Sequence, residues 1–249
     1  MAKVRLGAVP YLNARPLIPF GPQNEAEVVF GVPQQLGRWL EEGTIDAGTV
    51  PTFFHLIHPE RPIIDGIAIA SHRRVESVNF FLRRKGGELR TVAVDEGSMT
   101  SVALLKVVLR HGYQVDPEFV PRPPDLETMM AGADGALLIG DKGMKAAKSG
   151  AYPFLDMGEE WRKLTGLPFV WALWICRDEE AAERVRPVAQ KAKEAGLRNL
   201  EALAREAAPA VGLDEEDCFR YLSKTIHYDL GPEEKAGIEE FGRLWRELQ

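Results

Sequence analysis

The chain has 249 residues, of which 45% are hydrophobic, and its formal net charge is -6. This length predicts one large domain or two of ordinary size, with enough apolar content to fill a core. The acidic balance disfavours nucleic acid as a partner because it would repel phosphate, and the apolar content disfavours intrinsic disorder. A disulfide scaffold is excluded because the chain has only two cysteines. Cys176 is expected to be a buried thiol, and Cys218 to be structural and not reactive.

The sequence also argues against a membrane or secretory role. No apolar run approaches the roughly 20 residues that span a bilayer. The first ten residues lack the apolar stretch and the small-residue cleavage site of a secretory signal. We therefore expect a cytoplasmic protein with no membrane partner; the sequence does not indicate the oligomeric state.

The first part of the chain alternates strand and helix patterns. Strands are predicted at residues 3–9, 27–30 and 46–50, a helical turn within 13–20, and an amphipathic helix over 32–42. This alternation predicts a parallel sheet.

Two strand-like runs, 63–71 and 75–83, come next, with a polar turn between them. The polar, glycine-rich segment 85–88 is the first candidate domain crossing. A second strand–helix series follows, and its predicted elements are strands at 91–94, 118–121 and 135–139 and helices at 100–111, 126–130 and 141–148. The apolar strand 169–176 is predicted to return to the first lobe.

The C-terminal part is helical, with helices predicted at 179–208, 215–223 and 232–248 and interruptions of the first at Pro187 and Gly196. Two α/β series with two connections predict a two-lobed, periplasmic-binding-protein-like (type II) fold with a ligand cleft between the lobes. Lobe 1 is expected to comprise residues 1–85 plus 175–249, and lobe 2 residues 86–174. Hinges for lobe closure are expected near 84–88 and 172–176.

Common cofactor and metal motifs are missing from the sequence. It has no P-loop, no dinucleotide-binding glycine fingerprint, no zincin pattern and no Gly-x-Ser-x-Gly. His55 and His58 could share one helical face, but they have no third ligand nearby and Pro59 follows, so the end of a helix is the better interpretation. We expect neither a metal nor a cofactor.

The segment around Ser98, Thr100 and Ser101 follows a predicted strand and opens a predicted helix. Its hydroxyls and the free N–H groups of a first helical turn can bind an anion. The alternative is simple N-capping, but three hydroxyls in four residues exceed what one cap requires.

Two other strand ends carry candidate cleft residues. Tyr11 and Asn13 follow the first strand, and Gly140 and Asp141 follow a strand of the second lobe. An amide can both donate and accept hydrogen bonds in a cleft. The alternatives, an asparagine in an ordinary turn and an aspartate that caps a helix, stay open.

Seven short segments, in this order, resemble those of one enzyme family. They are VPYLNARPL (9–17), DAGTVP (46–51), VESV (75–78), SMTSV (98–102), ALLIGD (136–141), LTGLPFV (164–170) and YDLGPE (228–233). The chain thereby resembles the chorismate dehydratases, the first enzymes of the futalosine route to menaquinone. The resemblance implies the same two-lobed fold and removal of water from chorismate to give 3-[(1-carboxyvinyl)oxy]benzoate, with no redox or metal cofactor.

By this resemblance Asn13 and Ser77 are catalytic. Asn13 would hydrogen-bond the reacting region, and Ser77 would fix the substrate or help to protonate the leaving group. The expected substrate-binding residues are Tyr11, Ser71, Ser98, Met99, Thr100, Ser101, Gly140 and Asp141, with the hydroxyls after Asp95 holding a carboxylate. Among the assigned residues Asp141 is the only acid, so we hypothesise that the substrate's own enolpyruvyl carboxylate accepts the C3 proton.

Three alternatives to this function remain. The first is a cytoplasmic or tethered solute-binding protein for a small carboxylate, which would use the same fold and the same anion contacts. The second is the later enzyme of the route, which makes 1,4-dihydroxy-6-naphthoate, although the Tyr11–Asn13 stretch argues against it. The third is a ligand-sensing regulator, for which the sequence offers no DNA-binding segment.

Overall fold

The computed structural model describes residues 3–19, 26–84, 86–95 and 97–249. Phe20 and Lys85, which belong to predicted segments, lie outside these ranges, and so does Glu96. The described strands form two five-stranded sheets. In spatial order the first sheet contains β2 (Ala26–Phe30), β1 (Val4–Ala8), β3 (Ala47–Pro51), β10 (Phe169–Cys176) and β4 (Ile63–Ser71). The second contains β7 (Glu118–Arg122), β6 (Thr91–Asp95), β8 (Gly135–Ile139), β5 (Val78–Leu82) and β9 (Phe154–Asp156).

The helices lie between and around these strands. They are α1 (Pro33–Glu41), α2 (Thr52–Ile57), α3 (Thr100–Val107), α4 (Leu126–Ala131), α5 (Gly140–Ser149), α6 (Met157–Thr165), α7 (Glu179–Arg198), α8 (Leu200–Val211), α9 (Glu215–Arg220) and α10 (Pro232–Arg246). A 3₁₀ turn follows β1 at Leu12–Leu17, and π-helical segments continue α3 at Val108–Gly112 and α9 at Tyr221–Thr225. No described helix combines the length and the apolar character that a membrane crossing requires.

Both sheets are mixed, so the prediction of a parallel sheet is only partly right. β1 runs parallel to β2 and β3, but β10 is antiparallel to β3 and β4. In the second sheet β6 is parallel to β7 and β8, but β5 is antiparallel to β8 and β9. The antiparallel pairings involve strands that enter one sheet from the other, and no local strand–helix–strand unit dictates their direction.

The chain changes sheets at positions that differ from the lobe boundaries expected from the sequence. It leaves the first sheet after β4 and enters the second at β5, and it returns between β9 and β10. β5 lies in the second sheet, although the expected boundaries place it with lobe 1. β10 lies in the first sheet, as expected for a returning strand, although those boundaries place residues 169–174 with lobe 2. The glycine-rich segment 85–88 connects β5 to β6 within the second sheet, because a polar break marks a loop without specifying which sheets its flanks join.

The predicted long C-terminal helix is broken at Asn199, not at Pro187 or Gly196. Pro187 and Gly196 both lie inside α7, and the Asn199 side chain donates a hydrogen bond to the Ala195 carbonyl where α7 ends. Gly196 marks a close crossing instead: a Cβ there would lie 2.0 Å from the Pro16 carbonyl oxygen of the 3₁₀ turn. Helix α7 therefore packs directly on the turn that follows β1.

The expected core residues are buried. Trp161, Trp171 and Trp174 are between 0% and 7% exposed, and Cys176 and Cys218 are fully buried free thiols, which confirms both predictions. Burial raises the pKa of the Cys176 thiol to about 12, so it stays protonated and unreactive.

Candidate active site

A cavity lies between the two sheets, at the strand ends identified from the sequence. It encloses about 540 Å³ of space not occupied by protein atoms, part of it open to solvent. Its walls are formed by Val9, Tyr11, Asn13, Pro33, Thr49, Pro51, Ile69, Trp171 and Ala172 from the first-sheet side and by Ser77, Val78, Ser98, Met99, Thr100, Ser101, Ile139 and Gly140 from the other. Most of the predicted site residues thus meet in one place, whereas Ser71 and Asp141 lie behind the walls.

Asn13 is carried by the 3₁₀ turn after β1. Its Oδ1 atom is buried and has no hydrogen-bond partner among the described residues. A buried acceptor without a partner costs free energy, so its presence at the wall of a cavity points to a ligand.

Ser77 lies at the end of the connection from β4 to β5 and is 1% exposed. The Tyr221 hydroxyl donates a hydrogen bond of 2.8 Å to its Oγ atom. The residue before it, Glu76, has a φ of 61° and is held by Arg220, whose Nη1 and Nη2 atoms lie 2.6 and 2.9 Å from the two carboxylate oxygens. The Asp156 carboxylate accepts hydrogen bonds from the N–H groups of Val75 and Glu76, so this connection is fixed before any ligand binds.

The hydroxyl segment after β6 contributes the opposite wall. Ser98 Oγ is buried and finds no partner in the described part of the chain. Thr100 Oγ1 accepts the Phe53 N–H at 3.0 Å, which ties the start of α3 to the start of α2 on the first-sheet side. Ser98 is therefore free for a ligand, whereas the Thr100 oxygen already serves the structure.

The structure adds two residues that sequence reasoning missed. Thr49 in β3 lines the cavity, and its buried Oγ1 atom has no partner within the described ranges. It lies in one of the family-like segments, so its position near a strand end was a usable signal. Tyr221 is 1% exposed and lies in a C-terminal helical segment 144 residues from Ser77, where no local pattern marks it.

Tyr11 and Gly140 meet across the cavity. Gly140 has a φ of +63°, and a Cβ there would lie 2.9 Å from the Tyr11 ring, so only glycine fits both the backbone and the contact. Burial, with smaller contributions from Asp95 and Asp141, raises the pKa of Tyr11, so its hydroxyl stays neutral. Tyr11 is placed as a neutral wall residue from the first-sheet side.

Ser71 and Asp141 support the walls from behind. Trp171 Nε1 donates to Ser71 Oγ at 3.0 Å, so Ser71 orients an aromatic ring that lines the cavity. The Asp141 carboxylate accepts the Leu12 N–H at 3.1 Å and thereby ties the turn that carries Asn13 to the start of α5. Burial raises the pKa of Asp141 above its ordinary value.

Asp141→Asn is expected to increase the free energy of unfolding at neutral pH, because it keeps an acceptor for Leu12 and removes a charge that burial disfavours. A carboxyl whose pKa is raised by folding destabilises the ionised protein, and this cost is lost as the pH falls through the raised pKa. The advantage of Asp141→Asn over wild type should therefore shrink on acidification. Urea unfolding between about pH 4 and about pH 8 measures this dependence.

The matched variant Asp141→Ala removes the acceptor and leaves the Leu12 N–H without its partner. We expect it to be less stable than Asp141→Asn by about 1–3 kcal/mol. Equal stability of the two variants, or an Asp141→Asn advantage that does not change with pH, would contradict this role for Asp141.

The histidine pair does not belong to this cavity. His58 follows the last residue of α2, which confirms the helix-end interpretation. Its ring nitrogens lie 3.3 Å from Glu41 and 3.5 Å from Glu60. No cluster of three or more potential metal ligands occurs in the described ranges.

The chain is similar to known proteins over nearly its whole length. A family model described as menaquinone biosynthesis matches residues 4–247. A chorismate dehydratase from Thermus thermophilus is 30% identical over 95% of this chain and 93% of its own, and one from Campylobacter jejuni is 25% identical over 97% of both.

Solved structures show the fold. A protein from Archaeoglobus fulgidus superposes with a TM-score of 0.81 at 18% identity, covering 99% of this chain and 98% of its own. A Candida albicans protein described as having the generic periplasmic binding protein fold superposes with a TM-score of 0.70 at 12% identity, covering 99% and 90%. The expected two-lobed, periplasmic-binding-protein-like fold is confirmed. With a family match over nearly its whole length, this chain belongs to the menaquinone biosynthesis family.

Proposed function

We propose that this protein dehydrates chorismate to 3-[(1-carboxyvinyl)oxy]benzoate, as a step of the futalosine route to menaquinone. The observation that carries the proposal is the set of buried, unpartnered oxygen atoms of Asn13, Thr49 and Ser98 on the wall of one cavity, in a chain similar over its length to two chorismate dehydratases. The proposal includes a cytoplasmic location, as expected for an enzyme of a biosynthetic family.

The cavity suits a small dicarboxylate with a hydroxyl group. Ser98 and Ser101 bring hydroxyl donors to the start of α3, where one carboxylate can bind. Asn13 faces the same space from the first-sheet side and Ser77 from the second-sheet side, and both are assigned to the reacting ring. Held in this way, the diene is oriented for loss of the C4 hydroxyl.

The dehydration is thermodynamically favourable, so the protein does not have to supply its driving force. The C3–H bond breaks and its electron pair forms the new ring double bond, while the C4–O bond breaks and the hydroxyl leaves with its electron pair. The proton lost from C3 and the departing hydroxide together make the water that is released. The ring becomes aromatic. The protein has to orient the substrate and stabilise the departing oxygen, which is a task for hydrogen-bond donors fixed in advance.

No carboxylate or imidazole belongs to the cavity wall among the described residues. Asp141, the acid considered from the sequence, is engaged with the Leu12 N–H behind the wall. This arrangement supports the hypothesis that the substrate's enolpyruvyl carboxylate accepts the C3 proton.

A chorismate analogue in which an isosteric neutral group replaces the enolpyruvyl carboxylate tests this hypothesis. We expect it to bind but to lose water at a rate lower than chorismate by at least about 10², the usual contribution of a positioned base. Binding is measured by calorimetry and turnover by the absorbance of the aromatic product. Full turnover of the bound analogue would exclude the carboxylate as the base.

The function itself is tested by incubating the purified protein with chorismate and following the products by mass and ultraviolet absorbance. Loss of one water to give an aromatic product is the expected result. Chorismate that is bound but recovered unchanged, while an authentic dehydratase is active in the same assay, would overturn the proposal in favour of a solute-binding protein.

A further inference from the structure

Two consecutive residues of β10, Trp171 and Ala172, both line the cavity. Side chains of consecutive strand residues normally point to opposite faces of a sheet. Here the pairing of β10 with β4 shifts by one residue, since Val170 lies opposite Ala70 whereas Ala172 lies opposite Ile69. Trp171 is the extra residue of this β-bulge, and a bulge can turn a side chain towards a site. The bulge thus accounts for the position of Trp171 beside Ala172 in the cavity wall.

Ala172 lies at the centre of an apolar row that crosses the first sheet. It is opposite Pro51 of β3 and opposite Ile69 of β4. Directly opposite residues of neighbouring strands have their side chains on the same face, and all three of these residues line the cavity. Together with Trp171 they form an apolar strip (Pro51, Ile69, Trp171 and Ala172) on the first-sheet side of the cavity.

The polar atom of Trp171 is engaged outside the cavity wall. An indole has one polar atom, Nε1, and it can only donate a hydrogen bond. It donates to Ser71 Oγ at 3.0 Å, and Ser71 is 1% exposed and does not line the cavity. The remainder of the ring is carbon, so Trp171 offers a ligand apolar surface only. A ligand hydroxyl placed against this surface would lose its partner in water and gain none.

Aromatic contacts hold the Trp171 ring in place. The ring centroids of Trp171 and Phe169 are 4.5 Å apart with an interplanar angle of 61°, an edge-to-face arrangement. Phe169 makes similar contacts with Trp161 at 5.2 Å and with Phe241 at 5.0 Å. Trp171 is 7% exposed, so its packing and its hydrogen bond fix its orientation before a ligand binds. A surface that is already ordered costs little conformational entropy on binding.

The second sheet also brings apolar side chains to the cavity. Val78 of β5 and Ile139 of β8 lie opposite each other, and both line the cavity. Apolar surface from both sheets therefore adjoins the hydroxyl groups of Ser98 and Ser101. This combination suits a carboxylate attached to a carbon ring, with the carboxylate at the hydroxyls and the ring against the apolar surface.

We propose that Trp171 is a specificity-determining residue that contacts the carbon ring of the substrate and favours a flat, unsaturated ring over a saturated one. The proposal rests on the proposed function, since chorismate has a cyclohexadiene ring and its product a benzene ring. A flat ring can pack closely on an indole in a stacked or edge-to-face arrangement. A saturated ring is puckered, and its axial hydrogen atoms prevent this close approach.

Two ligands that differ only in the ring test this preference. They are 3-[(1-carboxyvinyl)oxy]benzoate, the proposed product, and the analogue in which its benzene ring is replaced by a cyclohexane ring. We expect wild-type protein to bind the benzoate more tightly by at least about threefold, within the range that an aromatic contact adds beyond its buried area. In Trp171→Leu, which keeps an apolar side chain without the aromatic ring, the preference should fall to within about twofold. Calorimetry measures both affinities.

Trp39→Phe is the matched control, because Trp39 lies in α1 and outside the cavity wall. We expect it to keep the wild-type preference, and melting curves show which variants are folded. Tryptophan fluorescence gives a second readout that does not depend on the folding of Trp171→Leu. Binding of the benzoate, after correction for its absorbance, should change the emission of wild-type protein and of Trp39→Phe. Trp171→Phe, which keeps an aromatic ring at the strip, should bind the benzoate but lose most of this change.

Each outcome decides the role of Trp171 separately from the proposed function. A wild-type preference below about threefold, or one above about twofold that persists in folded Trp171→Leu, would overturn the role of Trp171. So would a Trp171→Phe variant that keeps most of the emission change. Turnover of chorismate by wild-type protein is measured in parallel. Turnover without the ring preference would refute the role of Trp171 alone, whereas a ring preference that depends on Trp171 without turnover would refute the proposed function alone.

Discussion

Asn13→Ala is expected to lower kcat for chorismate by about 10² to 10³, the loss seen when one preorganised polar group of an active site is removed. Asn13 Oδ1 is a buried acceptor without a partner in the described part of the chain, and the residue lines the cavity. A methyl group can neither bind the reacting region nor fill the space. Steady-state kinetics with the aromatic product as the signal measures the loss.

The same variant should remain folded. The substitution removes a buried acceptor that has no partner in the described residues, so the free energy of unfolding is expected to change by no more than about 1 kcal/mol. Asn199→Ala is the matched control, because Asn199 lies between α7 and α8 and outside the cavity wall. Wild-type kcat in Asn13→Ala would remove Asn13 from the active site.

Asn13→Asp tests the effect of charge at this position while nearly keeping the shape of the side chain. The carboxylate is nearly the size of the amide and still accepts hydrogen bonds, but it has no N–H group and it adds a negative charge facing a dicarboxylate. We expect KM to rise more than in Asn13→Ala, because like charges in a partly enclosed cavity repel strongly. A KM no higher than that of Asn13→Ala would mean that the substrate's charges lie away from Asn13.

Local sequence patterns were enough to predict most strands and helices, but they did not show which sheet each strand joins. The apolar run of β3 is recognisable because all five of its residues are buried, and the amphipathic helix α1 is recognisable because it buries one face. The sheet to which β5 belongs is not encoded in this way. Val78–Leu82 would be a buried strand in either sheet, and its partners β8 and β9 lie more than 50 residues later.

In the candidate site, too, residues could be predicted from their position in the sequence, but contacts between distant segments could not. Asn13 and Ser98 could be predicted because each follows a strand whose end faces the cleft, a position that the sequence order reveals. Asp141 has that position as well, yet its carboxylate binds the Leu12 N–H and not the cavity. Tyr221 could not be predicted, because its role depends on a contact with Ser77 that the folded chain alone creates.

Gly196→Ala is expected to be strongly destabilising, with a loss of about 3 kcal/mol in the free energy of unfolding. A Cβ at this position would lie 2.0 Å from the Pro16 carbonyl oxygen and 2.6 Å from the Pro16 carbonyl carbon, so backbone would have to move. Helix propensity alone predicts the opposite sign, since alanine is favoured over glycine by about 1 kcal/mol in a helix interior. We expect the steric clash where α7 crosses the 3₁₀ turn to outweigh the gain in helix propensity.

The displaced turn is the one that carries Asn13, so activity should fall as well as stability. A shift of about 1 Å in a positioned group can lower a rate by about 10², and kcat of Gly196→Ala should therefore fall more than its folded fraction explains. Gly112→Ala is the matched control, since a Cβ there meets nothing within 4 Å. We expect Gly112→Ala to leave the free energy of unfolding unchanged or to raise it slightly. Wild-type stability and kcat in Gly196→Ala would contradict the prediction, because they would mean that the crossing can accommodate a methyl group.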